Sequence, residues 1–201
     1  PILLLDFAQN ASLVLALCFL QRFIAEQGSG SGLRRGVLPG LLFGAAAIAA
    51  MLMATEVMPG IIFDGRTVVL SMGALFGGPL VAAISAAMAA GFRIWLGGGG
   101  ALIGVCVIAT ASGIGLLVRQ AVSERTADIS VWRLLAVSLA AHLAAVLWFL
   151  ALPFDATGVG YFELAWPYVV ILTPATAVTG LLLREVERMR LADQRVRESR
   201  D

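Results

Sequence analysis

Apolar runs about as long as a bilayer-crossing helix follow one another along this chain, separated by short polar breaks. Residues 1–23 are apolar but for Asp6, Gln9, Asn10, Ser12, Gln21 and Arg22, and they lack a basic leading region, so they predict a retained first span. A polar linker over 26–36 carries a flexible Gly-Ser-Gly-Ser-Gly stretch and the Arg34-Arg35 pair. Residues 37–55 predict a second span ending at Glu56. Residues 58–65 read as irregular, because Pro59 and Gly60 break a helix. Gly77-Gly78-Pro79 divides the next apolar run, since a proline without an N–H follows two residues that tolerate unusual backbone angles. The pattern there predicts two short antiparallel helices, 66–76 and 79–95, with their far ends on the same side. A glycine turn over 97–100 leads to a span over 101–118, a polar loop over 119–130 and a span over 131–152. A loop over 153–163 precedes the last span, 164–183, and residues 184–201 leave as a charged helix.

Composition decides the solvent. The chain is 60% hydrophobic and 13% charged with a mean hydropathy of +0.93, against roughly 45–50% apolar and 25% charged in a soluble domain. Its 201 residues therefore form an all-α integral membrane bundle of six or seven helical segments, two of them short. Continuous rather than alternating apolar runs exclude a membrane barrel. Cys18 and Cys106 both fall inside predicted spans and read as small buried apolar residues.

The charges give the orientation. All 14 basic residues are arginine. If the last span exits to the cytoplasm, Arg22, Arg34, Arg35, Arg119, Arg125, Arg133 and the arginines of the tail are all inside, and only Arg66 and Arg93 are outside. The positive-inside rule therefore places the N-terminus outside and the C-terminus in the cytoplasm.

Arg66 and Arg93 break that bias and need a reason of their own. One is interfacial snorkelling, or pairing of Arg66 with Asp64 or Glu56. The other is anion binding: two planar forks of donors that converge on one side of a bundle suit a small acid. Alanines at 82, 86, 89 and 90, and Ala83, Ala87 and Gly91 on the next stripe, let neighbouring backbones approach the helix that carries Arg93.

These strings in order, FDGR, then ALFGGP, then a small-residue helix ending in Phe92-Arg93, then a glycine turn and a further span, resemble the membrane sensor of LytS/YhcK-type receptors, the 5TM-LYT family. The likeness is close over residues 58–118 and looser over the rest of the membrane region. The arrangement is also similar to the substrate-binding components of energy-coupling-factor transporters. The family resemblance implies a sensory input domain at the front of a histidine kinase, a diguanylate cyclase or a PAS-containing protein, which in some members responds to small carboxylates such as pyruvate. It makes Arg66 and Arg93 the ligand contacts, beside the acidic Asp64 and Glu56, and carries Cys106 and Ser112 over as further candidates.

His142, alone in mid-span, reads as a neutral histidine bonded to a neighbouring helix. Gly97–Gly100 lacks the Lys-Ser/Thr of a nucleotide loop. Trp95, Trp132, Trp148 and Trp166 fall near span ends as interfacial anchors. No catalytic triad, metal motif or cofactor fingerprint is present, so the domain itself is not read as an enzyme. In the tail, Leu182, Val186, Met189, Asp193 and Val196 follow four- and three-residue spacing, a seam for a homodimeric coiled coil. The expected division is a membrane sensor over 1–183 and a cytoplasmic connector over 184–201 that leads to an output domain in a bacterial inner-membrane protein. The expected partners are a small anionic solute, the lipid bilayer and a second copy, not nucleic acid. A solute-binding transporter subunit is the alternative, and a ligand-free anchor with Arg66 and Arg93 paired to Glu56 and Asp64 a third reading.

Overall fold

A computed structural model describes residues 32–58, 61–122, 126–151 and 161–198. The predicted first span and residues 153–160 of the loop expected over 153–163 lie outside them, and residues 161–163 open the last helix. Six α-helices run through the described chain: α1 Gly32–Leu52, α2 Arg66–Gly77, α3 Pro79–Leu96, α4 Ala101–Ala121, α5 Val131–Phe149 and α6 Tyr161–Glu198. Helices α3, α4, α5 and residues Tyr168–Ala192 of α6 are long and apolar enough to cross a membrane, and Gly36–Leu52 and Arg66–Gly77 are shorter apolar helices. The all-helical membrane bundle expected from the sequence is therefore what the chain forms.

The hinge falls where the sequence put it. Gly78 takes φ +84° between α2 and α3, a backbone state that a residue with a Cβ enters only at a cost. Pro79 then opens α3 at a position where no N–H is required. Gly97 and Gly98, also at positive φ, make the next turn.

At the centre stands α2. Residues Arg66 through Leu75 are all buried, and the helix meets each of the other five. Its neighbours approach through glycines. A methyl at Gly115 of α4 would overlap the Ser71 carbonyl, and one at Gly73 would stand 2.9 Å from the Phe43 ring of α1. Helices α1 and α3 run parallel with Gly36, Gly40 and Gly44 seated against Leu80, Ile84 and Met88, the small-xxx-small geometry of close helix contact in a bilayer. The inner stripe of α3 is Ala82, Ser85, Ala89 and Arg93, whereas Ala83, Ala87 and Gly91 are exposed.

Three elements differ from the sequence reading, and a fourth joins two segments that it took in turn. The stretch read as irregular contains an antiparallel hairpin, Thr55–Met58 with Ile61–Phe63, in which Thr55 pairs with Phe63 and Glu56 with Ile62. Its strands are the four residues TEVM and the three residues IIF on either side of Pro59-Gly60. Helix α1 starts at Gly32, so the Arg34-Arg35 pair lies in its first turns rather than in a linker. Helix α4 continues through Arg119 to Ala121, followed by a 3-10 turn at Thr126–Asp128. The last span and the charged tail form one uninterrupted helix, α6, because arginine and glutamate continue a helix as readily as leucine does.

Candidate functional site

The site is built at the N-terminal end of α2. Asp64 lies in the turn before the helix. One of its carboxylate oxygens accepts the backbone N–H of Arg66 at 2.8 Å, satisfying a donor at the helix start. The other accepts the Arg66 guanidinium at 2.8 Å. Both residues are buried, Arg66 at 7% and Asp64 at 5% exposure. The Nε of Arg66 is also buried, with no hydrogen-bond partner among the described residues.

Arg93 arrives from the far end of α3. Arg66 and Arg93 stand about 17 Å and 21 Å from the shared Gly-Pro turn, at 1.5 Å per residue along antiparallel helices, so the two side chains start at nearly the same height. Their charges act on one another, and Asp64 lies within electrostatic reach of both. Arg93 is buried to 2% exposure and donates to the Gly97 carbonyl at 2.7 Å, which caps its own helix. Its stem lies on α4 at Gly104, where an added Cβ would stand 2.7 Å from Nε and 3.0 Å from Cγ.

Burial pushes the Asp64 carboxyl up from the ordinary aspartate value. The Arg66 guanidinium, the Arg66 backbone N–H and Arg93 pull it back. Two guanidiniums within electrostatic reach of each other disfavour one another's charge, and an anion between them offsets that effect.

Among the expected contacts, the structure pairs Arg66 with Asp64 and sets Arg93 within electrostatic reach of both. The Glu56 side chain lies outside the described residues, although its backbone is part of the hairpin that leads to Asp64. Ser112 is buried on the face of α4 that also carries Gly104, about 12 Å further along the axis, and its hydroxyl has no hydrogen-bond partner among the described residues. Cys106 is a half-buried free thiol, two residues and hence about 200° around the helix from Gly104. His142 is fully buried, and its Nδ1 is 2.7 Å from the Ser138 carbonyl of its own helix rather than of a neighbour.

Sequence reasoning missed Thr67 and Tyr168. The Thr67 hydroxyl lies 2.6 Å from the phenol oxygen of Tyr168 on α6. The Tyr168 ring stands edge-on to His142 at 5.4 Å and to Phe149 at 5.1 Å. No local motif announces this contact. It depends on which helices become neighbours.

An all-helical membrane bundle that encloses two arginines and an aspartate around the start of a central helix defines the class: an integral membrane protein with a polar site inside it. The chain belongs to the 5TMR-LYT family, whose model, 5TMR of 5TMR-LYT, matches residues 19–186. It is accordingly a membrane sensor domain of the kind found in signalling proteins. No curated protein and no solved structure matches the chain.

Proposed function

We propose that this domain senses a small extracytoplasmic anion, a carboxylate, which binds between Arg66 and Arg93 and is reported to the cytoplasm through α6. The observation that carries the reading is the burial of both guanidiniums within electrostatic reach of each other, around one aspartate at the end of a helix screened from lipid. The incoming carboxylate shares the Arg66 fork with Asp64 and draws Arg93 toward it. The occupied and empty arrangements differ in energy through those contacts, as a sensor requires.

The relay half of the proposal is supported by α6, which runs unbroken from Tyr161 to Glu198. Leu182, Val186, Met189, Asp193 and Val196 follow coiled-coil spacing along it, the pattern on which pairing with a second copy is proposed. The output is then that of a histidine kinase or a diguanylate cyclase in a bacterial inner membrane, with the C-terminus inside and the N-terminus outside.

The test is thermal unfolding of the purified domain in nanodiscs against acetate, pyruvate, succinate and inorganic phosphate. A recognised anion raises the apparent Tm with concentration. Arg66→Lys and Arg93→Lys keep the charge but remove the fork, and both abolish that rise. A wild-type Tm indifferent to all four anions, or lysine variants that respond like wild type, overturns the proposal.

A further inference from the structure

A change at the anion site reaches α6 through a contact at the start of α2, an inference that rests on the anion-site reading. Thr67 follows Arg66 directly in the first turn of α2, so one helical peptide unit separates the guanidinium-bearing residue from the threonine. Its hydroxyl is bonded at 2.6 Å to Tyr168, 101 positions away on α6. Thr67 is 1% and Tyr168 4% exposed. Arg66 and Asp64 lie within electrostatic reach of the phenol, which places this bond beside the charged cluster.

Two features make the contact a transmitter rather than ordinary packing. First, no bulk water reaches it, so the bond ties the start of α2 to α6 inside the bundle without competition from solvent. Second, the ring is braced by two aromatic neighbours. His142, at 5.4 Å with an interplanar angle of 61°, and Phe149, at 5.1 Å and 77°, hold its edges from α5. A displacement of Thr67 is therefore taken up by the α6 backbone. From Tyr168 that helix runs about 30 Å, at 1.5 Å per residue, to Arg188, whose Nε donates to the Ala127 carbonyl at 2.8 Å. Arg184, one turn earlier, donates to the Ile129 carbonyl at 3.2 Å.

We propose that the Thr67–Tyr168 hydrogen bond is the link by which occupancy of the arginine site repositions α6, with both residues acting as positioning residues through Arg66 rather than as contacts to the anion.

Hydrogen–deuterium exchange of the whole domain in nanodiscs, with and without pyruvate as the probe, tests this. In the wild type, pyruvate changes exchange over residues 184–198 and at the 126–129 turn. Tyr168→Phe keeps the ring and loses only the hydroxyl, and Thr67→Val keeps the shape. Both bind pyruvate with wild-type affinity in a Tm titration, and both lose the change over 184–198. Arg66→Lys loses binding and change together. A Tyr168→Phe variant that transmits the change undiminished overturns the link, and one that no longer binds pyruvate overturns it by making the pair part of the binding site. A ligand-free arm separates this claim from the anion reading. Without pyruvate, each single variant raises exchange over 184–198 and the double variant raises it no further, which shows that the bond itself couples α2 to the far end of α6, whether or not the probe binds. Additive effects overturn it.

Discussion

At the scale of single residues, the decisive features are what a side chain rests on and what it would leave behind. Arg93 rests on a missing methyl. Gly104→Ala places a Cβ within 2.7 Å of its Nε, so the variant displaces the guanidinium, weakens anion-dependent stabilisation and costs about 1–3 kcal/mol as an overpacked contact. Gly91→Ala, with nothing within 4 Å, is the matched control and leaves the Tm titration unchanged. Arg66 behaves differently, because removing it strands Asp64. Arg66→Ala is expected to lower stability by about 3–5 kcal/mol, whereas Arg66→Lys separates the loss of the fork from the loss of the charge. Asp64 also gives a pH signature. Burial raises its carboxyl, so it takes up a proton in milder acid than an exposed aspartate does. Once neutral, it no longer competes with a bound anion for Arg66 and Arg93. Affinity for pyruvate, whose own acid is strong, therefore rises as pH falls, and a titration of Asp64→Asn is flat across the same range. The arginine pair was legible in the sequence because two arginines broke the charge bias and a Gly-Pro hinge folded them to one side. Gly104, Thr67 and Tyr168 were not, since a glycine notch and a hydroxyl pair 101 positions apart have no local pattern.

At the scale of elements, arginines that the sequence offered as topology signals also serve as helix caps. Arg119, near the end of α4, donates to the Leu75 and Phe76 carbonyls at 2.7 and 2.9 Å, closing the C-terminal end of α2. The arginine also lies against Gly78, whose added Cβ would stand 3.2 Å from its Nε. Arg119→Gln is expected to lower stability by about 1–3 kcal/mol, because two half-buried carbonyls lose a charged donor, and thermal unfolding in detergent checks it. Helix existence was readable from hydropathy alone, but helix ends were not. Hydropathy changes sharply at Arg184, yet the backbone hydrogen bonding of α6 does not change there. The hairpin over 55–63 was hidden for the opposite reason: Pro59-Gly60 announces a break, and its flanking strands of four and three residues are too short for a clear alternation.

At the scale of the whole molecule, α2 is the member on which the others converge, and α6 is the member that leaves. The expected coupling between them can be loosened from the far end. Replacing Arg184 and Arg188 by alanine frees the Ala127 and Ile129 carbonyls, and amide exchange over 126–129 is expected to accelerate while pyruvate affinity stays at its wild-type value. A central rod of 12 residues is about 18 Å long, against a hydrocarbon thickness of about 30 Å. Because it is walled off by its neighbours, it feels bilayer depth only at second hand. Thicker or thinner lipid tilts the outer helices, but the distance between the two cationic forks is set by the rod and the Gly-Pro corner beneath it. Receptors reconstituted in short-chain and long-chain lipids should then agree in how tightly they hold pyruvate and differ in how far they pass the message on.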